Sequence, residues 1–282
     1  MLRALLALAL AAVVALPAAA QSPAAQSPAA PTPAERAQLD RVLERGRLIH
    51  AIDRAAWVVT DDFMAKAPAA VKAAARGYVV EPSAEGFAVT FYDDVSGRRS
   101  ALYVGRVAGG RVVGSEVIAA ARRAPLTPAQ TRLVKAREAA ATADYQSCTG
   151  AFNVTAIPPA FPAAPLDVYL LSAQVNDREY PAGGHFRLVL APDGKLVSSR
   201  KFTNSCLSLS GAPDSGGPVA ALMVTHLLDP LPTEIHVFTA LSAGKPLYVG
   251  AGDRVWSVTG EAITLIGNIG EEMKDAPATD PR

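Results

Sequence analysis

From position 33 onward the apolar residues recur first at helical and then at strand spacing. Leu39, Val42, Leu43, Gly46, Ile49, Asp53, Ala56 and Trp57 fall three or four apart and describe one largely apolar helical stripe. Thr32-Pro33-Ala34-Glu35 marks its start. The threonine can cap the helix, the glutamate three residues on can answer it, and proline in the first turn gives up no hydrogen bond. Gly46 weakens the centre of this helix, and Pro68 interrupts the helical pattern beyond it. Asp61 and Asp62 suit the start of a new helical segment after Thr60. A further helix over 69–76 stops at Gly77.

The period then changes to two. Residues 78–80, 86–92, 101–107 and 111–118 are strand-like, and turns over 93–97 and 108–110 suit hairpins. Thr127-Pro128-Ala129-Gln130 repeats the capping logic and opens a helix to about Ala143. From Tyr145 onward the reading is mainly β: 152–155, 167–173, 185–190, 195–202, 219–227, 233–241, 246–249, 254–258 and 262–266. Pro192-Asp193-Gly194 is the turn between the third and fourth of these. The fold class is therefore α+β. A helix, antiparallel meander and helix module over 33–144 is followed by a mainly antiparallel β module over 145–268.

The ends change the picture. Residues 1–20 carry a short positive start at Arg3, an apolar run over 4–16, then Pro17 and three alanines, the layout of a cleavable signal peptide cut after Ala20. The run is too short to span a bilayer, and no cysteine follows it to take a lipid. Residues 21–32 repeat QSPAA and read as a linker; residues 269–282 read as a disordered tail. The expected protein is thus exported, soluble and periplasmic, with no transmembrane segment after cleavage. With 27 basic and 26 acidic residues the chain lacks the cationic excess that a nucleic-acid binder uses on phosphate. Arg98-Arg99 and Arg122-Arg123 read as solvated surface. Cys148 and Cys206 are the only cysteines, and in an oxidising compartment they are expected to form a disulfide.

Candidate chemistry is thin. Asp214-Ser215-Gly216-Gly217-Pro218 resembles the nucleophile motif of chymotrypsin-like proteases, and His50 with Asp93 or Asp94 completes the family's order. His50 nevertheless lies in a helical pattern, and the barrel strands which that family places before it are missing, so Ser215 stands as a weak catalytic candidate. Ser198-to-Lys201 and Ser242-to-Lys245 match S-x-x-K without its companion motifs. His185, His226 and His236 all fall in the β module and are weak metal candidates, with Asp229 or Glu234 as an oxygen ligand. Their spacing forces no two rings onto one side. The pairs Asp61-Asp62 and Asp93-Asp94 have ready roles in turns and caps. There is no P-loop, dinucleotide fingerprint or calcium loop, so no cofactor is expected.

Gly183-Gly184-His185-Phe186-Arg187, Phe202-Thr203-Asn204-Ser205-Cys206, and the stretches 224–230 and 232–238 resemble an uncharacterised group of exported proteobacterial proteins. The resemblance spans the last half of the chain and implies export, with no reaction and no ligand. The expectation is a non-catalytic protein of the cell envelope that binds another envelope protein or a small ligand. The alternative is a periplasmic hydrolase or metal-dependent enzyme built on Ser215 or the three histidines.

Overall fold

The computed structural model describes residues 29–211 and 219–269. The expected leader, most of the linker, Ser215 with its loop, and nearly all of the expected tail lie outside the described residues.

Helix α1 (Pro33–Lys66) begins where its capping box predicts: the Glu35 amide donates to the Thr32 hydroxyl at 3.2 Å and the Thr32 amide to the Glu35 carboxylate at 2.8 Å. Its 34 residues rise roughly 1.5 Å each, giving a rod of about 50 Å. It runs unbroken past Gly46 and Thr60. The Thr60 hydroxyl bonds back to the Ala56 carbonyl at 2.7 Å, so Asp61 and Asp62 continue the helix instead of opening another. The buried face is Leu39, Gly46, Ile49, Ile52, Ala55, Ala56, Val59 and Phe63. Trp57, counted in the expected stripe, sits a residue beyond Ala56 and therefore about 100° round the helix. It is 59 % exposed, with the Arg54 guanidinium over its ring at 4.4 Å.

After the short α2 (Ala69–Ala74) come β1 (Gly77–Ser83), β2 (Gly86–Val95), β3 (Arg98–Ala108) and β4 (Arg111–Val117), an antiparallel meander in chain order. Helix α3 (Pro128–Ala141) follows, its Thr127–Gln130 capping box formed as expected. A second antiparallel sheet contains β5 (Phe152–Ala156), β6 (Leu166–Ser172), β8 (Phe186–Leu190) and β9 (Leu196–Lys201). The short β7 (Glu179–Pro181) and β10 (Ser208–Ser210) pair separately.

The third sheet has the order β11 (Leu222–His226), β12 (Leu247–Ala251), β13 (Arg254–Val258), β14 (Ile263–Asn268). Here the structure corrects the sequence reading. The stretch 233–241, expected as a strand, is helix α4 (Glu234–Ala243), and β11 and β12 are parallel because α4 carries the chain back between them. Every residue from 234 to 240 is buried. A helix enclosed on all sides shows no amphipathic stripe, and Ile235 and Val237 imitate strand alternation.

The fold is α+β. Its largest core joins Ile49, Ile52, Val59 and Phe63 of α1 to Val89 and Leu102 of the meander. The same core takes in Tyr169 and Leu171 of β6 and Ile235 and Phe238 of α4, so apolar packing runs continuously across Asp144. The opposite face of β6 and β8 packs Val168, Leu170 and Leu188 on Leu133 and Val134 of α3. Close approach of α1 to α4 depends on Gly46, where a Cβ would lie 2.4 Å from Val237 Cβ. Cys148 and Cys206 are bonded, with Cα atoms 5.3 Å apart. Among the described residues no helix is long and apolar enough to cross a membrane.

Candidate functional site

A parallel β-helix-β unit brings the C-terminal ends of its strands beside the N-terminus of its helix, where α/β proteins concentrate polar chemistry. In this chain β11 ends at His226 and α4 starts after Thr233. His226 Nε2 lies 2.7 Å from Asp229 Oδ2, and Arg200 of β9 donates to the same oxygen at 2.8 Å. The Arg200 guanidinium also rests over Phe202 at 4.5 Å. The His226 ring meets His236 nearly edge-on, with centroids 4.7 Å apart and planes at 79°.

His236 occupies the third position of α4 and fills the capping-box role that glutamate or glutamine usually takes. Its Nδ1 accepts the Thr233 amide at 2.9 Å. An amide can only donate, so Nδ1 carries no proton and the neutral ring holds its hydrogen on Nε2. Burial, reinforced by the charges of His226, His185 and Arg200, pushes His236 down to about 3.

His185 is fixed in the same way. The Ser172 amide donates to its Nδ1 at 3.1 Å, and Nε2 donates to the Pro181 carbonyl at 3.0 Å. Burial lowers it to about 4, against the opposing pull of the Pro181 carbonyl. Gly184 positions this ring. Its φ of +71° is a left-handed value that disfavours side chains, and a Cβ there would stand 2.4 Å from Cys148 Sγ. The disulfide therefore lies directly against the loop that presents His185.

On the other flank of α4, Glu234 accepts the Tyr169 hydroxyl at 3.0 Å and Arg187 at 3.2 Å. Tyr169, Arg187 and Arg200 are cross-strand neighbours on β6, β8 and β9. Two arginines directly opposite each other repel. Glu234 answers one and Asp229 the other, and both acids come from the β11–α4 segment. The second and third sheets are thus joined by paired charges.

Beside His226 opens a cavity of about 330 Å³, lined by Thr225, Leu227, Leu228, Asp229, Pro230 and Gly252. Exposed apolar side chains occur on and after β11. Met223 (59 %) and Tyr248 (36 %) are register partners on the outer face, and Leu227 (83 %) and Leu228 (38 %) follow His226 directly.

The three β-module histidines all pack around α4, yet they do not form a ligand set. Both nitrogens of His185 are taken by backbone, the Nδ1 lone pair of His236 is taken by Thr233, and His226 is bonded to Asp229. Among the described residues no three His, Cys, Asp or Glu side chains are arranged to hold a metal. Ser215 lies outside the described residues. Its suggested partners have other engagements. His50 turns its ring edge toward Phe238 at 6.3 Å, Asp93 pairs with Arg123 at 2.7 Å, and Asp94 pairs with Arg99 at 3.2 Å. Arg99 and Arg123 are accordingly not the solvated surface expected of them. Ser198 and Lys201 stand three apart on β9 and so point to opposite faces. The Ser242 hydroxyl is spent on the Phe238 carbonyl at 2.8 Å. Sequence reasoning missed the roles of Tyr169, Arg187 and Arg200, which come only from strand register.

No family model matches the chain, and neither a curated protein nor a solved structure is similar to it.

Proposed function

We propose that this chain is an exported, periplasmic protein of the cell envelope that binds a macromolecular partner without transforming it. The observation that carries the reading is the exposure of four apolar side chains on and just after β11 and its neighbour: Met223 and Tyr248, register partners on β11 and β12, and Leu227 and Leu228 just past the end of β11, with Leu227 83 % exposed. Exposed apolar side chains that cluster, rather than scatter singly, mark interaction surfaces. The polar groups nearby are spent on one another: Asp229 on His226 and Arg200, Glu234 on Tyr169 and Arg187. They fix the shape of the surface. The disulfide supports an oxidising compartment, in agreement with the leader-like start and the resemblance to exported proteobacterial proteins.

The test is a photo-crosslinking residue at position 227 in living cells, compared with one at Val113, which is 55 % exposed on β4. The expected result is one adduct of defined mass from position 227, released with the periplasmic fraction and lost in a Met223→Asp background. Equal labelling from both positions, or none from 227, would sink the proposal. Covalent capture of Ser215 by a fluorophosphonate would favour the hydrolase alternative.

A further inference from the structure

Three of the chain's four histidines surround one helix, which carries the fourth. His50 of α1 and His185, just before β8, each meet the Phe238 ring in a T-shaped contact at 6.3 Å, His226 closes on His236 at 4.7 Å, and His236 belongs to α4 itself. Two of these rings serve as acceptors for backbone amides, a role imidazole fills only while the accepting nitrogen is unprotonated. We propose that the His236 cap makes α4 an acid-released element, held in place at neutral pH and freed when His236 takes up a proton.

The closed arrangement leaves little room for added positive charge. A proton on His236 Nδ1 would face the Thr233 N–H and break the His236 half of the capping box. It would also place a cation beside the His226 ring, with Arg200 within electrostatic reach. Asp229 cannot answer it freely, since its Oδ2 already serves His226 and Arg200. Glu234, at the head of α4, is held by Arg187 and Tyr169. From α1, His50 is the titratable ring that faces Phe238, while Arg45 is bound to Asp167 and Arg47 to the Gly260 and Glu261 carbonyls. On the remaining side β12 and β13 offer Leu247, Val249, Trp256 and Val258, none of them charged, and Arg254 is turned to Glu35. At β7 the contact is the Pro181 carbonyl, which already takes the His185 Nε2 hydrogen. A proton on His185 Nδ1 would displace the Ser172 amide. In an opened α4 the His236 ring reaches water and titrates normally, whereas His185 keeps its bonds to Ser172 and Pro181, which lie outside α4. Acid therefore pulls the equilibrium toward the open form by mass action.

Hydrogen exchange of the α4 amides, corrected for the intrinsic rate and followed from pH 7 to pH 4.5, tests this directly. Each proton gained on opening raises the opening constant about tenfold per pH unit below the free imidazole range. The wild-type slope should approach one proton near pH 5, and His236→Gln should bring it close to zero, because glutamine caps without titrating. His236→Asn provides a second test of the same cap should His236→Gln fail to fold. Amides of β2 and β3 should show a weaker dependence. A wild-type slope below about one half overturns the proposal. So does an unchanged slope in both variants, or an equal slope at β2 and β3, which would mean global acid unfolding.

Discussion

Gly46→Ala offers the sharpest test of how the molecule is built, because two ordinary effects oppose each other there. In an open helix the change is favourable, by up to about 1 kcal/mol, since alanine loses less backbone freedom on folding. At position 46 the new Cβ would stand 2.4 Å from Val237 Cβ, 2.7 Å from the Glu234 carbonyl oxygen and 2.8 Å from Val237 Cγ1. Two of these atoms are a carbonyl and a Cβ, which no rotamer change can move. The helices would have to separate by about 1 Å to restore normal contact. Neither is free to do so. Arg47 of α1 holds the Gly260 and Glu261 carbonyls, and Glu234 ties α4 to β6 and β8. Overpacking of this kind costs about 1–3 kcal/mol, and rigid backbone on both sides argues for the upper end or beyond.

The net expectation is a loss of about 2 kcal/mol, or a fall in melting temperature of about 4–8 °C for a chain of this size. Urea denaturation followed through the emission of Trp256, which is fully buried, would measure it. Gly114→Ala is the control. Its Cβ would meet Arg106 Nη2 at 2.7 Å, but that is the far end of a flexible side chain which can step aside, so stability should change by less than about 0.5 kcal/mol. If Gly46→Ala proves as stable as the parent, or more so, the close crossing of α1 and α4 is wrong and the packing built on it fails.

Other substitutions probe the crosslink and the buried charges. Cys206→Ser opens a crosslink between residues 58 apart and should cost about 4 kcal/mol on the chain-entropy account, read as a lower urea midpoint without reductant. Arg123→Ala strips the partner from Asp93, a 4 % exposed carboxylate whose second oxygen already lacks a hydrogen bond. The uncompensated buried charge should cost about 3–5 kcal/mol in equilibrium unfolding, and Arg123→Lys should recover part of it. Burial lifts Asp53 from 3.8 to about 6, against the restraining effects of Asn153 and Arg137. The folded chain therefore holds this proton more tightly than the unfolded one, and the stability it gives below about pH 4 is lost as pH rises through 6. Asp53→Asn should accordingly be more stable than the parent by about 1–2 kcal/mol at pH 7.5 and no more stable at pH 4. His185 and His236 act with the opposite sign. They are lowered to about 4 and about 3, so the unfolded chain binds their protons first, and stability falls as pH drops from 6.5 toward those values.

Elements whose ends carry local chemistry were legible in the sequence. Thr32 with Glu35 and Thr127 with Gln130 announced two helices, and the alternation at 86–92 and 101–107 announced the meander. Gly46 is marked as a weak point by propensity, which describes a helix in isolation. Its meaning depends on Val237, almost two hundred residues away in the chain, and no window of local sequence contains both. Trp57 misled for a related reason: spacing of three or four defines a band on the helix, and only packing decides where the band ends.

Helix α4 was hidden by its own burial. Its N-terminal signal was present in altered form, because Thr233 at the cap is answered three residues later by His236, where glutamate or glutamine would have been recognised. Its C-terminal signal was plainer, since Gly244 takes the left-handed conformation at φ +61° that commonly ends helices. Weighing Thr233 and Gly244 together would have favoured ten helical residues over a strand. The chemistry of the site turns on that one element. Read as a strand, 233–241 leaves the relation of His226 to His236 to depend on an unknown hairpin register, with a metal site as one of its outcomes. Read as a helix, it aims the His236 nitrogen at its own cap and brings His226 against the ring edge, and the histidines become acceptors that hold the backbone in place.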